Sequence, residues 1–305
     1  MNAFNHWMVG LDLTNMDDVV LGYLNFLSGT REPDHLTFVH VIEDDGISEE
    51  LNELFPEVER SKSIESIIRE ELQKKVARHF DAGGPHVNII IRDGSTTESL
   101  LSALSEFNPD LLVLGKKTGY EGEGILARKI TKYAHCSLLF VAENSQYKLE
   151  NIHVPISFSK ASARALKQAQ NMSEAVGAAL HVQHVYDYPK QFFPYIPSDK
   201  YSERMSNHLN KKFEKFKKKY DLSNIPDCVF TVNEETKDAD QIYDLTLQTR
   251  ANLIMVGAKG KTSVAALLTD EMADSLAEYH FGVPVLIYKK KEEHIGLLKS
   301  LLEGD

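Results

Sequence analysis

The chain has 305 residues, enough for two domains of ordinary size. Hydrophobic residues make up 42% and charged residues 26%, which excludes an intrinsically disordered protein. The net charge of -11 argues against broad nucleic-acid binding. Residues 1–148 carry 24 acidic and 14 basic side chains, whereas residues 149–305 carry 21 and 20. The first half is therefore predicted to bind a polyphosphate more weakly than the second.

The N-terminal residues contain no basic region followed by an apolar stretch, so they do not resemble a signal peptide. No apolar run approaches the roughly 20 residues that cross a bilayer. We therefore expect a cytoplasmic protein with no membrane association. Cys136 and Cys228 each lie in an apolar, strand-like run, which favours buried thiols over a disulfide.

Short apolar runs alternate with longer amphipathic segments along the whole chain, as is typical of parallel strands covered by helices on both faces. Predicted strands lie near residues 6–13, 35–42, 87–92, 110–115, 137–142, 151–156, 179–186, 228–232, 252–257 and 283–288. Helical spacing of apolar residues predicts helices over 61–80, 161–177 and 202–220, and Gly177 suits a C-terminal cap. This alternation predicts right-handed crossovers and doubly wound sheets.

The second half of the chain repeats the first. Residues 110–117 align with 252–259, and each segment contains a short apolar run that ends on a glycine. A repeat unit of half the chain is typical of a duplicated domain and not of a solenoid. The predicted organisation is a domain over 1–145, a domain over 150–290, a polar linker near 143–150 and a helical tail over 291–305.

Ligands of open α/β sheets bind beyond the carboxyl ends of the strands, where the strand order reverses. The first and fourth strands of each half should meet at that point. The candidate positions are Asp12 and Gly115 in the first half, and Ser157 and Gly257 in the second.

Both halves contain the same series of short motifs. In the second half they are V-P-I-S-F-S at 154–159, V-G-A-K-G-K-T at 256–262 and V-P-V-L at 283–286. In the first they are V-G-L-D at 9–12, L-G at 114–115 and H-C-S-L-L at 135–139. This series resembles the universal stress protein family. The resemblance implies two five-stranded, parallel, Rossmann-like α/β domains with strand order 3-2-1-4-5.

The resemblance also implies how the two halves associate. Family members commonly pair through their fifth strands, here 137–142 and 283–288. The halves would then form an intrachain pseudo-dimer, which covers two sheet edges that otherwise invite association. Further homo-oligomers remain open.

ATP-binding members of the family have an Asp after the first strand, near the adenine, and a loop of the form G-x-x-G-x9-G-[ST]. Glycines let backbone N–H groups approach phosphates, and a helix N-terminus favours an anion. The resemblance thus implies ATP or AMP with Mg²⁺ as the ligand. The candidate nucleotide-binding residues are Asp12, Val41, Gly115, Gly124, Gly257, Lys259, Gly260, Lys261, Asp270 and Glu271.

The first half departs from this loop pattern. Only eight residues separate Gly115 from Gly124, where the motif has twelve. Ile125 lacks the hydroxyl of the Ser or Thr, and Glu121 and Glu123 lie inside the turn. The sequence predicts weakened phosphate binding here.

The second half keeps Gly257 and Gly260 and is the favoured place for any nucleotide, although a turn that binds nothing has the same pattern. The adenine-side Asp is Ser157, and Asp270-Glu271 stands where the motif has G-S. Two carboxylates beside phosphates cost on the order of one to several kcal/mol at a partly wet site. Lys259 and Lys261 either bind an anion or are solvated.

Three further features have two interpretations each. Asp270, Glu271 and Asp274 are typical of a helix N-terminus, which we favour over a Mg²⁺ site. The aromatic loop 186–201 is either a lid or interface for a protein partner, or packs on its own chain. The basic run 211–219 either docks an acidic partner or, as favoured, is a solvated helix face.

His40 and His184 occupy matching places in the second strands, which indicates a repeated structural role. No spacing matches a zinc site, and no nucleophile–base pair or Walker loop is present, so no catalytic residue is named. We expect a stress-response or regulatory binding protein with weak or lost nucleotide binding. The alternatives are an ATP-binding member with slow hydrolysis and a ligand-free interaction scaffold.

Overall fold

The computed structural model describes residues 4–30, 32–43, 64–80, 84–117, 125–187, 198–233, 237–258, 271–279 and 281–290. The chain divides into two compact units, Met1–Tyr147 and Lys148–Asp305. Each unit has an α/β fold built on a parallel sheet. None of the helices in the described ranges is both long enough and apolar enough to span a membrane.

In the first unit, strands and helices alternate. The elements are β1 (His6–Gly10), α1 (Met16–Thr30), β2 (His35–Ile42), α2 (Ile64–Ala77), β3 (His86–Asp93), α3 (Thr96–Phe107), β4 (Leu111–Lys116), α4 (Ile125–Tyr133) and β5 (Ser137–Ala142). All pairings are parallel, in the order β3-β2-β1-β4-β5. The predicted order is confirmed. The first strand ends at Gly10, sooner than predicted, and Leu13 then turns the chain with a φ of 63°.

The second unit repeats this order. Its elements are β6 (Asn151–Pro155), α5 (Lys160–Val176), β7 (Ala179–Asp187), α6 (Ser198–Lys219), β8 (Cys228–Asn233), α7 (Asp238–Gln248), β9 (Leu253–Gly257), α8 (Glu271–Glu278) and β10 (Val285–Tyr288). The strands are parallel, in the order β8-β7-β6-β9-β10. The pairing of the two halves through their fifth strands stays a prediction.

The central strands carry the core of each unit. Met8 and Val9 of β1 and Leu112 and Val113 of β4 are all 0% exposed, although neighbouring residues point to opposite faces of the sheet. Helices therefore cover both faces, which explains why these strands are apolar throughout. Burial of such side chains contributes about 25 cal/mol per Å² of apolar surface.

Matching side chains fix the register of the central strands. In the first unit, Asp110 accepts hydrogen bonds from the two backbone N–H groups at the start of β1, at 2.9 and 3.0 Å. In the second, Asn252 accepts from the two N–H groups at the start of β6, at 2.9 and 3.1 Å. The aligned positions of the sequence repeat thus make the same contact.

Two local predictions are confirmed. Gly177 ends α5 with a φ of 73°, and its N–H donates to the carbonyl of Ser173. Cys136 and Cys228 are buried and are not joined by a disulfide, and burial raises the pKa of Cys228 to about 12.

His153 is a buried titratable group at the centre of the second unit. It is 0% exposed, and its Nδ1 lies 2.9 Å from the hydroxyl of Thr246. Because that hydroxyl donates to the carbonyl of Ile242, it accepts the proton of His153 Nδ1. Burial, reinforced by the nearby His181, lowers the pKa of His153 to about 4. The imidazole is therefore neutral in the folded protein.

Acid should destabilise the second unit through His153. An unfolded histidine takes up its proton near a pKa of 6.5, whereas the folded residue does so only near 4, so the unfolded chain binds more protons between these values. We expect His153 to contribute a loss of about 2 kcal/mol between pH 7 and pH 5. Urea unfolding across this range should show a shallower pH dependence in His153→Gln. His208→Gln, an exposed control on α6, should keep the full dependence; equal slopes in all three proteins would contradict the prediction.

Candidate functional site

An open cleft of about 960 Å³ lies in the first unit, beyond the carboxyl ends of β1, β2 and β4. This is where a parallel sheet places its ligands. Asp12, Val41 and Gly115, three of the four residues that the sequence predicted for this half, line the cleft together. Gly124 lies outside the described residues. The nucleotide-binding role of all four stays a prediction.

The turn between β1 and α1 positions Asp12. Leu11 N–H donates to the carbonyl of Val39, which ties the turn to β2. The left-handed Leu13 follows, and Asp12 Oδ1 then accepts from Thr14 N–H at 2.9 Å and from its hydroxyl at 2.6 Å. Such side chain-to-backbone bonds are typical of Asp in turns. They hold the carboxylate at the cleft.

Asp12 forms an ion pair across the cleft lining. Lys117 Nζ lies 2.7 Å from Asp12 Oδ2, although 105 residues separate them. Burial alone would raise the pKa of the Asp12 carboxyl, but hydrogen bonds from Lys117 and Thr14 outweigh it and hold the pKa below its ordinary value. Asp12 is therefore ionised at neutral pH. Any ligand that uses this carboxylate must compete with Lys117.

A buried ion pair is hydrogen-bonded to the backbone of the same turn. Asp17 accepts from Asp12 N–H at 2.9 Å and from Lys75 Nζ at 3.0 Å. The lysine also donates to the carbonyl of Thr14 at 2.8 Å. The two charged side chains are only 3% and 10% exposed. Burial raises the pKa of the Asp17 carboxyl even though Lys75 opposes the shift.

A second polar bridge lies on the other side of the cleft. The hydroxyl of Thr96, at the start of α3, donates to the carboxylate of Glu43, which follows β2. Both residues line the cleft. Sequence reasoning missed this bridge and the Asp17–Lys75 pair. The one available signal was Lys75, a charged residue between Leu72 and Val76 of the apolar helix stripe.

The second unit repeats the turn with different side chains. Ser157 N–H donates to Ser162 Oγ at 2.9 Å, as Asp12 N–H does to Asp17. Phe158 has a φ of 56°, close to that of Leu13. The two turns are therefore built alike, but the second lacks the carboxylate.

The repeated histidines also have the same contact. His40 Nδ1 lies 2.9 Å from the carbonyl of Leu11, and His184 Nδ1 lies 2.8 Å from that of Ile156. Each histidine thus links the second strand of its unit to the turn after the first strand. The predicted structural role is confirmed.

Comparison with known proteins decides the family. The model of the universal stress protein family matches residues 4–142 and 148–289, so it covers both halves. The chain belongs to the universal stress protein family. A search of curated proteins gave no significant match.

Solved structures agree on the fold. A putative universal stress protein from Pseudomonas aeruginosa UCBPP-PA14 is 16% identical, with a TM-score of 0.65 and 99% of each chain covered. A universal stress protein from Archaeoglobus fulgidus DSM 4304 is 16% identical, with a TM-score of 0.59, 94% of this chain and 96% of that chain covered. At these identities the likeness establishes the tandem fold alone.

In this universal stress protein, an aromatic ring covers the second histidine. The rings of Phe158 and His184 lie 4.3 Å apart, and Phe216 of α6 lies 5.6 Å from Phe158. The ammonium of Lys212 lies 4.6 Å from the Phe158 ring centroid. The counterpart of His40, which lines the cleft of the first unit, is thus packed against aromatic side chains in the second.

Gly257, the described glycine of the second loop, makes a close backbone contact. A Cβ at this position would lie 2.2 Å from the carbonyl oxygen of Ala161. A packing requirement alone therefore explains this glycine. Glu271 begins α8, as expected for the favoured helix N-terminus, but its side chain lies outside the described residues. So do Lys259, Gly260, Lys261 and Asp270, and their roles stay predictions.

Two further predictions are only partly covered by the structure. The aromatic loop 186–201 is shorter than predicted, because β7 extends to Asp187 and α6 begins at Ser198; residues 188–197 are not described. Within the described ranges, no group of three or more His, Cys, Asp and Glu side chains could hold a metal ion.

Proposed function

We propose that this universal stress protein is a stress-response regulatory binding protein whose first unit, and not the second half that the sequence favoured, holds a weak adenine-nucleotide site. The observation that carries the proposal is the convergence of Asp12, Val41 and Gly115 on one cleft. These residues come from the ends of three strands that are far apart in sequence. A volume of about 960 Å³ is ample for a nucleotide.

The described lining fits the nucleoside part of such a ligand. Val39, Leu100 and Leu114 offer apolar surface for a base. Asp12 offers a carboxylate, which accepts hydrogen bonds from sugar hydroxyls. A bound Mg²⁺ would supply charge neutralisation for the phosphates.

The same lining has too little positive charge to bind several phosphates tightly. Lys117 is the only lysine or arginine among the described lining residues, and Asp12 already engages it. Glu43 adds further negative charge to the cleft, whereas the charge of Asp17 is compensated by Lys75. We therefore expect AMP to bind at least as tightly as ATP in the absence of Mg²⁺, and all affinities to be weak.

Calorimetry with adenosine, AMP, ADP and ATP, with and without Mg²⁺, tests the proposal. Lys117→Gln frees the Asp12 carboxylate, so adenosine should bind about two- to fivefold more tightly, the scale expected for an exposed ion pair. Asp12→Asn should weaken adenosine binding. Lys74→Gln, an exposed lysine of the same unit, serves as the control and should change neither affinity.

Two results would contradict the proposal. Dissociation constants for ATP in the low micromolar range would contradict the expectation that the site binds nucleotides weakly. If no nucleotide at millimolar concentration gave a heat of binding, in the wild type or in Lys117→Gln, the cleft would not be a nucleotide site.

A further inference from the structure

A stripe of basic side chains follows the exposed face of α6. The stripe consists of five exposed residues that follow one another at steps of four, three, four and three positions: Arg204, His208, Lys211, Lys215 and Lys218. Side chains at these spacings lie on one face of a helix. The stripe is about 21 Å long, at 1.5 Å per residue. We call it the basic stripe.

Three further lysines of α6 have contacts within their own unit. Lys212 lies over the ring of Phe158, and Lys219 lies over the ring of Tyr220. Lys217 pairs with Glu214 at 2.7 Å. Lys211, Lys215 and Lys218 have no acidic partner among the described residues.

Repulsion between neighbouring cations of the basic stripe opposes the stability of the helix that carries it. Like charges at i,i+3 and i,i+4 repel each other, and Lys215 has such neighbours on both sides. Lysines in the last turn are favoured by the helix dipole, but that effect falls off within one turn and does not reach Arg204 or Lys211. The chain as a whole has a net charge of -11, whereas residues 211–219 contain six lysines and one acidic residue.

We propose that the basic stripe is a docking surface for an acidic segment of a partner protein. The apolar side of α6 is not available to a partner, because Leu209, Phe213 and Phe216 are at most 4% exposed. A membrane could therefore bind only through charge, and the net charge of -11 opposes binding to an anionic membrane or to a long nucleic acid. A short acidic segment contacts the stripe alone, with carboxylates spaced to meet a cation at each helical turn.

The test uses a fluorescein-labelled oligoglutamate peptide and the full chain, with binding followed by anisotropy. The triple variant Lys211→Glu/Lys215→Glu/Lys218→Glu should bind at least about tenfold more weakly at low salt, the scale of three lost rim contacts. The triple Lys→Arg variant at the same positions should bind like the wild type. Rising salt should weaken wild-type binding.

A charge-matched control separates the stripe from net charge. Lys74→Glu/Lys129→Glu/Lys148→Glu changes the net charge equally, but at exposed positions outside α6. It should retain the wild-type affinity, and circular dichroism should show that all variants are folded. Equal loss in both triple variants, or no binding by the wild type, would overturn the proposal. So would binding to phosphatidylserine vesicles or oligo-dT that depends on the stripe when peptide binding does not.

Discussion

Replacing Lys75 with Met should lower the free energy of unfolding of the first unit by about 3–5 kcal/mol, the usual cost of removing one partner of a buried ion pair. The methionine fills much of the same volume but leaves the Asp17 carboxylate, which is 3% exposed, without its cation. It also removes the hydrogen bond to the carbonyl of Thr14. Urea unfolding of both proteins at pH 7 measures the difference.

The pH dependence identifies the cause. Burial already raises the pKa of Asp17, and loss of Lys75 raises it further. The free energy of unfolding of the variant therefore recovers when Asp17 takes up a proton, because no unpaired charge is then buried. A group whose folded pKa is raised favours the folded state at low pH and loses that contribution as the pH rises through the folded pKa. The stability deficit of Lys75→Met should therefore be smaller at pH 5 than at pH 7. A constant deficit would point to packing instead of charge.

Two variants complete this comparison. Lys74→Met changes the neighbouring lysine, which is 65% exposed, and should stay within about 0.5 kcal/mol of the wild type. Asp17→Asn combined with Lys75→Met removes both charges and keeps an acceptor for Asp12 N–H, so it should be more stable than Lys75→Met alone. A double variant as unstable as the single one would refute the ion-pair explanation.

The sequence predicted the sheets well because their signals are local. Apolar runs that end on glycine mark β4 and β9, and their recurrence at half the chain length revealed the duplication before any contact was known. The alignment was accurate enough for matching residues to make matching contacts. Asp110 and Asn252 each accept from the N–H groups at the start of the neighbouring strand.

The details of the cleft were not predictable, because they depend on contacts between distant residues. No sequence pattern indicated a role for Lys117, whereas the fold places it against Asp12. Lys75 and Asp17 lie on different helices, 58 residues apart. Charge patterns identify pairs within one helix, but pairs between helices require the packing to be known.

Glycines raise the same problem, since one residue type serves both phosphate binding and packing. Gly115 and Gly257 occupy equivalent positions, at the ends of β4 and β9. Their neighbours differ: a Cβ at Gly115 would lie 2.5 Å from Met16 Cγ, a flexible side chain, whereas at Gly257 it would lie 2.2 Å from the backbone carbonyl of Ala161. The structural demand for glycine is therefore stricter in the second unit.

Gly257→Ala should lower the free energy of unfolding by about 3 kcal/mol, because α5 must move away from β9 to accommodate the methyl group. The reduced entropy of the unfolded chain returns only about 0.4–1 kcal/mol. Gly115→Ala is the matched control and should cost less than Gly257→Ala, because its close contacts, Met16 Cγ at 2.5 Å and Val20 Cγ2 at 3.2 Å, belong to side chains and not to the backbone. Thermal and urea unfolding of the two variants measure the contrast. If Gly257→Ala were as mild as Gly115→Ala, packing against Ala161 would no longer account for Gly257, and a role in binding an anion would become the better explanation.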